Sequence, residues 1–114
     1  MATTSTIAGA EALKMNDLIT PTPQGIASRI LSKNKGGSVT LFAFDAGQGL
    51  AEHTAPFDAI VMVLEGTFTL TIGGQPVTAP AGSVVLMPAD IPHAVDATEP
   101  SRMVLTMLRE PKAA

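Results

Sequence analysis

The sequence predicts an all-β domain, a sandwich or a barrel, and three observations support this. Nine short segments rich in β-branched and apolar residues follow one another between residues 27 and 108. Turn residues separate them, with 10 glycines and 9 prolines in the 114-residue chain. Polar and apolar residues alternate in Thr67–Ile72, which gives that segment one polar and one apolar face. Regularly spaced short strands of this kind are typical of antiparallel sandwiches and barrels.

The predicted elements run from an N-terminal arm to a last strand near the C-terminus. Residues 11–19 could form two turns of helix, which Pro21 and Pro23 end because proline lacks a backbone donor. Gly73 and Gly74 join two strands as a two-residue hairpin of the primed type, in which both positions tolerate positive φ. The predicted strands are Ala27–Ser32, Val39–Asp45, Leu50–Thr54, Ala59–Leu64, Thr67–Ile72, Gln75–Ala79, Ser83–Met87, His93–Ala97 and Arg102–Leu108.

Length and composition indicate one compact domain. A chain of this size buries roughly two-thirds of its unfolded surface in a single core. We expect an N-terminal arm over residues 1–28, a β-barrel over 29–110 and a tail over 111–114. The mean hydropathy of +0.32 is high for so small a chain, which predicts a homodimer that covers excess apolar surface. A slightly richer core is the alternative reading of the same value.

Charge and apolar runs argue against two classes of partner. All seven basic residues lie before residue 36 or after residue 101, and Trp and Tyr are absent, so we expect no nucleic-acid partner. The longest apolar run is the six residues Ala59–Leu64, well short of a membrane span. The N-terminus lacks the pattern of a secretory signal, so a cytoplasmic location is expected. The absence of cysteine excludes disulfides and thiolate metal sites.

The candidate functional residues are the two histidines of the chain. His53 and His93 both lie in predicted strands beside turns. A strand histidine is usually a hydrogen-bonded polar group and not a ligand, but imidazole is also a common metal ligand and general base. The spacing of glycine and proline around each histidine decides between these readings.

That spacing resembles the two conserved motifs of the cupin family. The interval from Gly47 to His53, closed by Gly66, resembles the first motif, and Gly82–His93 resembles the second. The run from residue 53 to residue 59 is similar to a subgroup of single-domain bacterial cupins of unassigned activity. The resemblance implies a small cupin-type jelly-roll β-barrel behind a short, loosely ordered N-terminal arm.

The resemblance also implies an incomplete set of metal ligands. Metal-binding cupins hold a divalent ion such as Fe, Mn, Zn or Ni with two histidines and a glutamate from the first motif and one histidine from the second. The first and last of these fall on His53 and His93, whereas the second histidine position is Ala55 and the glutamate position is Ala59. Two imidazoles are fewer than the three protein ligands of a catalytic zinc site.

A third ligand could come from Asp58, which is adjacent to the lost glutamate position. Its direction is not determined by strand alternation, because it lies near the turn at Pro56, so it could point inward beside the histidines. The alternative is a solvated turn aspartate that caps the backbone of Phe57.

Strand alternation predicts a small pocket without charged residues around the two imidazoles. Such a lining suits a small, mostly apolar or neutral ligand. Four methionines, at positions 62, 87, 103 and 107, are assigned to the core or to a dimer interface. The residues predicted to face the pocket are Gly49, Ala51, His53, Ala55, Ala59, Val61, Val63, His93, Val95 and Ala97.

Three functions fit this pattern. The first is a small-molecule-binding module that uses the two histidines as hydrogen-bonding groups. The second is a metal-dependent cupin enzyme, a dioxygenase or an isomerase, with His53 and His93 as residual ligands. The third is a structural dimer whose pocket has lost its ligand. Because one fold can host all three, the fold class does not choose between them.

Overall fold

The structure, a computed structural model, describes residues 6–109, and the regular secondary structure of these residues is all β-strand apart from one short 3₁₀ turn. The predicted tail over 111–114 and the first five residues of the arm lie outside the described residues. The nine strands are β1 Ile26–Asn34, β2 Gly37–Phe44, β3 Gly49–His53, β4 Asp58–Glu65, β5 Thr67–Ile72, β6 Gln75–Pro80, β7 Val84–Met87, β8 His93–Ala97 and β9 Ser101–Leu108.

The strands form two antiparallel sheets that face each other. The larger sheet has five strands in the order β1-β2-β9-β4-β7, and the smaller has four in the order β3-β8-β5-β6. The chain passes repeatedly from one sheet to the other, so strands distant in sequence become neighbours. This arrangement confirms the predicted all-β fold of the cupin jelly-roll type.

The core lies between the two sheets and is built from the inward side of each strand. Phe44 of β2 and Phe68 of β5 are almost fully buried, and their rings meet edge to face with centroids 5.1 Å apart. Edge-to-face contact is a favoured geometry for aromatic pairs. In β5 the three threonines are half-buried while Phe68 and Leu70 are fully buried, as the alternating pattern predicts.

Two turns depend on glycine, and the first of them confirms the predicted hairpin. Gly73 and Gly74 have φ of 57° and 82°, and Ile72 pairs with Gln75, so the β5–β6 connection is a two-residue hairpin. Gly66 has φ of 74° where the chain leaves β4 in one sheet and enters β5 in the other. Positive φ at these positions favours glycine because it has no Cβ.

The N-terminal arm differs from the predicted two-turn helix. From residue 6 onward its only helical element is a 3₁₀ turn, Met15–Asp17, and the residue before that turn makes no capping hydrogen bond through its side chain. Short helices gain little from local bonds alone. Ile19 instead packs against the outer side of the larger sheet, and Arg29 donates a hydrogen bond to the carbonyl of Leu18. Strand β1 begins at Ile26, ahead of the expected barrel boundary at residue 29. No helix within residues 6–109 is long and apolar enough to cross a bilayer.

Candidate functional site

The two histidines meet at the edge of the smaller sheet. His53 is the last residue of β3 and His93 the first of β8, and the two face each other across these antiparallel strands. Their ring centroids are 4.4 Å apart at an interplanar angle of 74°. The Nε2 atoms are separated by 3.1 Å, although the residues are 40 positions apart in the chain.

The backbone orients both rings in the same way. Nδ1 of His53 lies 2.8 Å from the carbonyl of Ala51, and Nδ1 of His93 lies 3.2 Å from the carbonyl of Ile91. Because a carbonyl only accepts, each Nδ1 carries the hydrogen and each neutral ring presents the lone pair of its Nε2. A hydrogen bond between the two Nε2 atoms therefore requires a second proton on one ring. Without that proton, both lone pairs are open to a donor.

A small apolar cavity lies beneath the imidazole pair. His93 is buried, whereas His53 lies on the exposed side of the pair. The cavity has a volume of about 40 Å³. Its lining residues are Leu50, His53, Ala55, Ala59, Met87, His93, Val95, Met103, Leu105 and Met107.

Of the residues that the sequence predicts to face the pocket, five contribute to the lining of this cavity and the others do not. Among those that do not, Val61 is fully buried in the core beside it. Ala51 is exposed, and Leu50 lines the cavity in its place. The register of β3 with β8 shifts between Leu50 and His53, so simple alternation along β3 fails there.

The methionines include pocket residues that strand alternation did not predict. Met87 and Met103 are buried in the core as expected, but they also line the cavity, together with Met107. Met62 is on the outer side of the larger sheet, with 42% of its surface exposed. Alternation within β9 could have placed Met103 and Met107 on one face, but the pairing of β9 with β4 sets which face points inward.

Asp58 does not lie beside the histidines. Its Oδ1 accepts a hydrogen bond of 2.9 Å from the backbone N–H of Ala89, and its side chain borders an outer groove with Phe57 and Arg109. The expected alternative partner was the backbone of Phe57, so the carboxylate serves a different turn. It stabilises the connection after β7.

The donors in the cavity do not fit the metal site of the family. The positions that would supply a histidine and a glutamate are the cavity-lining methyl groups of Ala55 and Ala59. Among residues 6–109 there is no group of three or more His, Cys, Asp or Glu side chains arranged to hold a metal ion. Two imidazoles remain, which is one fewer than the protein ligands of a catalytic zinc.

The comparison with protein families agrees with the fold and with the two motifs. The model of the cupin domain matches residues 40–108, which is more than half of the chain. The chain belongs to the cupin family. This confirms the resemblance inferred from the sequence. A search of curated proteins finds no match to this cupin.

Solved structures similar to this cupin cover nearly its whole length. A conserved protein of unknown function from Streptococcus pyogenes is 31% identical with a TM-score of 0.87, and the match covers 99% of this chain and 98% of that one. A cupin 2 conserved barrel domain protein from Leptotrichia buccalis is also 31% identical, with a TM-score of 0.81. That match covers 85% of this cupin but only 47% of the relative.

A third neighbour supports the fold alone. It is a cupin superfamily protein from Desulfitobacterium hafniense, 21% identical with a TM-score of 0.85, and the match covers 96% of this cupin and 100% of that chain. Family membership thus explains the barrel, while the activity has to be argued from the cavity and its two histidines.

Proposed function

We propose that this cupin binds a small oxygenated and otherwise apolar molecule in the cavity beneath His53 and His93. One observation carries the proposal: two Nε2 atoms 3.1 Å apart face each other over a cavity whose other lining side chains are all apolar. Ligand sites combine an apolar lining with a few polar groups that set orientation. Here the imidazole pair is that polar group.

The hydrogen-bonding capacity of the pair defines the ligand. Both Nδ1 atoms are engaged by backbone carbonyls, so only the Nε2 atoms are available to a bound molecule. A ligand hydroxyl, amide or carboxyl group can donate to one Nε2 and can accept from the other when that ring carries a second proton. We propose that the ligand presents one such group to the histidines.

The size of the cavity limits the part of the ligand that is buried. A water molecule needs about 10–15 Å³ of such space, so the cavity of about 40 Å³ takes a group of about three or four non-hydrogen atoms. The ligand is then either very small or a longer molecule whose terminal group enters the barrel. Methionine side chains in the lining suit either case, because they adapt to irregular shapes.

Metal-dependent catalysis by this cupin is not proposed, because the cavity offers two imidazoles and the places of the other ligands are methyl groups. The cytoplasmic location and the homodimer predicted from the sequence remain proposals.

The test is methyl NMR of protein labelled at methionine and purified without chelators or a nickel column. The probes are short branched alcohols, amides and carboxylic acids, such as isobutanol and isobutyramide. We expect them to shift the methyl resonances of Met87 and Met103 while that of Met62, outside the cavity, stays unchanged. Native mass spectrometry of the same preparation would show any molecule retained through purification.

Variants separate the apolar and polar contributions. Ala59→Leu fills the cavity and should abolish the shifts, and His93→Ala should weaken binding of the polar probes by about tenfold, the loss of one hydrogen bond. Asp96→Asn, at an exposed position of the same strand β8, is the matched control and should bind normally. Failure of every probe to move the Met87 and Met103 resonances would overturn the proposal. So would stoichiometric Fe, Mn, Zn or Ni that disappears in His93→Ala, since it would establish the metal-dependent alternative.

A further inference from the structure

Three thioether side chains share the cavity with the two imidazoles. Met87, Met103 and Met107 line it together with His53 and His93. The remaining lining residues are leucine, alanine and valine, so residues 6–109 bring no carboxylate, amide or hydroxyl side chain to it. Every lone pair that a side chain offers to this cavity therefore belongs to an imidazole nitrogen or a thioether sulfur.

The register of the larger sheet places two of these methionines on either side of Ala59. Ala59 of β4 pairs with Met87 of β7 on one side and with Met107 of β9 on the other. Side chains directly opposite each other in neighbouring antiparallel strands have Cβ atoms about 4.5–5.5 Å apart. Met103 is further away, because it pairs with Val63. The motif position of the family's glutamate ligand, here a methyl group, is thus flanked by two sulfur-bearing side chains.

The two imidazoles are oriented as a pair of ligands. Each Nδ1 bonds to the backbone carbonyl two residues earlier, and such a contact is the usual way in which proteins orient a metal-binding histidine. The Nε2 atoms are 3.1 Å apart. With metal–nitrogen bonds of about 2.0 Å, as in zinc sites, this separation gives an angle of about 100° at an ion bound by both, near the tetrahedral value of about 109°. The ring centroids, 4.4 Å apart, are too close for the rings to meet head to head, so the lone pairs are inclined to each other.

The nature of the donors selects the ion. Thioether sulfur is a soft ligand that favours Cu(I), whereas carboxylate and carbonyl oxygens favour Mg²⁺, Ca²⁺ and Mn²⁺. Zinc in proteins takes thiolate, imidazole or carboxylate ligands, and two imidazoles are too few for it. Charge favours the same choice, because a buried ion needs compensation and this cavity has no anionic side chain. A singly charged ion needs less compensation than a divalent one.

The cavity also has the size and the access that an ion needs. Its volume of about 40 Å³ exceeds the 10–15 Å³ or so that a water molecule requires. His53 is exposed while His93 is buried, so the imidazole pair connects solvent with the interior of the cavity. An ion can therefore be bound first at the outer ring and then by both.

We propose that His53, His93, Met87 and Met107 form a binding site for Cu(I), with two nitrogen and two sulfur donors. The proposal goes beyond the organic ligand of the cavity, because that ligand meets the methionines only as apolar surface. Each Nε2 lone pair accepts either a hydrogen or an ion, so the two occupants exclude each other. The site differs from the metal centre of the family in its ion and in half of its donors.

The test is a titration of metal-free protein, without a histidine tag, with Cu(I) kept reduced and anaerobic. The chromophoric Cu(I) chelator bicinchoninate serves as competitor. We expect the protein to take a single Cu(I) ion per chain. The ε-methyl resonances of Met87 and Met107 should shift, while that of Met62, on the outer side of the larger sheet, should not. X-ray absorption at the copper edge should show sulfur as well as nitrogen neighbours.

Methionine variants test the sulfur ligands. Met87→Leu/Met107→Leu removes both sulfurs and nearly preserves side-chain volume, so the barrel should fold. Its affinity for Cu(I) should fall by more than about tenfold, the smallest loss expected when even an outer-shell partner of a metal ligand is removed. Met62→Leu makes the same change on the opposite side of β4, and this matched control should bind Cu(I) like wild type. Isobutyramide should still bind to the double variant, detected at Met103, because the imidazole pair and the apolar lining remain.

The proposal is wrong if wild-type protein binds no Cu(I) in the titration. A double variant with wild-type affinity, or an absorption spectrum with nitrogen and oxygen neighbours only, would also overturn it, since either result shows that the sulfurs are not ligands. Zn²⁺ bound as tightly as Cu(I) would contradict the selectivity of the donors. Absence of Cu(I) binding leaves the organic ligand unaffected, because that ligand is tested on protein without copper.

Discussion

At the scale of single residues, the pocket differs from the metal-binding pattern of the family by two methyl groups. Ala55 and Ala59 both line the cavity together with the two histidines, so a longer side chain at either position would extend into the same space. The sequence motifs assign these two positions to the pocket, and both line the cavity. They could not reveal that Leu50 replaces Ala51 in the lining, because the register shift in β3 comes from its pairing with β8.

Restoring both side chains should create a metal site. In Ala55→His/Ala59→Glu we expect Zn²⁺ or Mn²⁺ to bind and to raise the free energy of unfolding by about 2.7 kcal/mol at a metal concentration of 100 Kd. Thermal unfolding with and without each metal measures the effect, and wild-type protein should show a much smaller one.

The control for this variant is Ala55→His/Ala59→Gln, which preserves side-chain size and removes the carboxylate ligand. Without metal, both variants should be less stable than wild type, because Ala59 is buried and a polar side chain there lacks partners. Equal metal stabilisation of wild type and Ala55→His/Ala59→Glu would contradict the interpretation that the two alanines account for the incomplete site.

At the scale of elements, the junction between β4 and β5 depends on one glycine. A Cβ at Gly66 would lie 2.2 Å from Oγ of Ser101 and 2.6 Å from the carbonyl oxygen of Pro100. Ser101 is itself fixed there, since its hydroxyl accepts from the N–H of Thr67 and donates to the carbonyl of Glu99. The turn therefore requires glycine for two reasons, positive φ and close approach.

Substitution of two glycines separates these reasons. Gly47 has φ of 79°, close to the 74° of Gly66, but a Cβ there would meet nothing within 4 Å. Gly47→Ala should lower the free energy of unfolding by about 1–2 kcal/mol, the cost of the left-handed conformation alone. Gly66→Ala should lower it by about 2–5 kcal/mol, because steric overlap adds to that cost. Urea unfolding measures both, and equal losses would show that the contact with Ser101 is not a significant constraint.

The strands were the most predictable elements of the chain, and the arm was the least. Nine strands were expected and residues 6–109 contain nine, since alternation, β-branched residues and glycine turns act within a few residues of each other. The expected helix over residues 11–19 is reduced to the turn Met15–Asp17. Its apolar residue Ile19 gains more from burial against Leu41 and Val104 than from a short isolated helix.

At the scale of the whole molecule, a carboxylate joins the arm to the barrel. Asp45, which follows β2, accepts hydrogen bonds from the backbone N–H of Gln24 at 2.7 Å and of Ala46 at 2.8 Å. Its own N–H donates to the carbonyl of Gly25. These hydrogen bonds to the charged form lower the pKa of Asp45 below its ordinary value of 3.8.

The stability of the folded chain should therefore depend on the charge of Asp45. Because the folded pKa is lower than the unfolded one, the contribution of the charged carboxylate is complete above the unfolded pKa and is lost as the pH falls through the folded pKa. We expect Asp45→Asn to be less stable than wild type at neutral pH. The difference in stability between the two proteins should become smaller in acid, when the pH falls below 3.8, the ordinary pKa of the carboxyl group. Urea unfolding across this range measures it, with Asp96→Asn as the control. A difference that stays constant with pH would contradict the role of the charge.

The sequence by itself determined the features that depend on near neighbours in the chain. These are the nine strands, the hairpin at Gly73 and Gly74 and the two motifs that contain His53 and His93. Each follows from side-chain alternation, backbone freedom or motif spacing, all of which act over a few residues.

Only the tertiary structure decided which strands pair and in which register. That pairing brings His53 within hydrogen-bond distance of His93, turns Leu50, Met87 and Met103 toward the cavity and leaves Asp58 outside it. It also decides that Ile19 covers part of the outer side of the larger sheet while Met62, Val84 and Leu86 stay exposed. The physical reason is that a shift of one residue in strand pairing reverses every side chain, and such shifts are determined by contacts between distant segments.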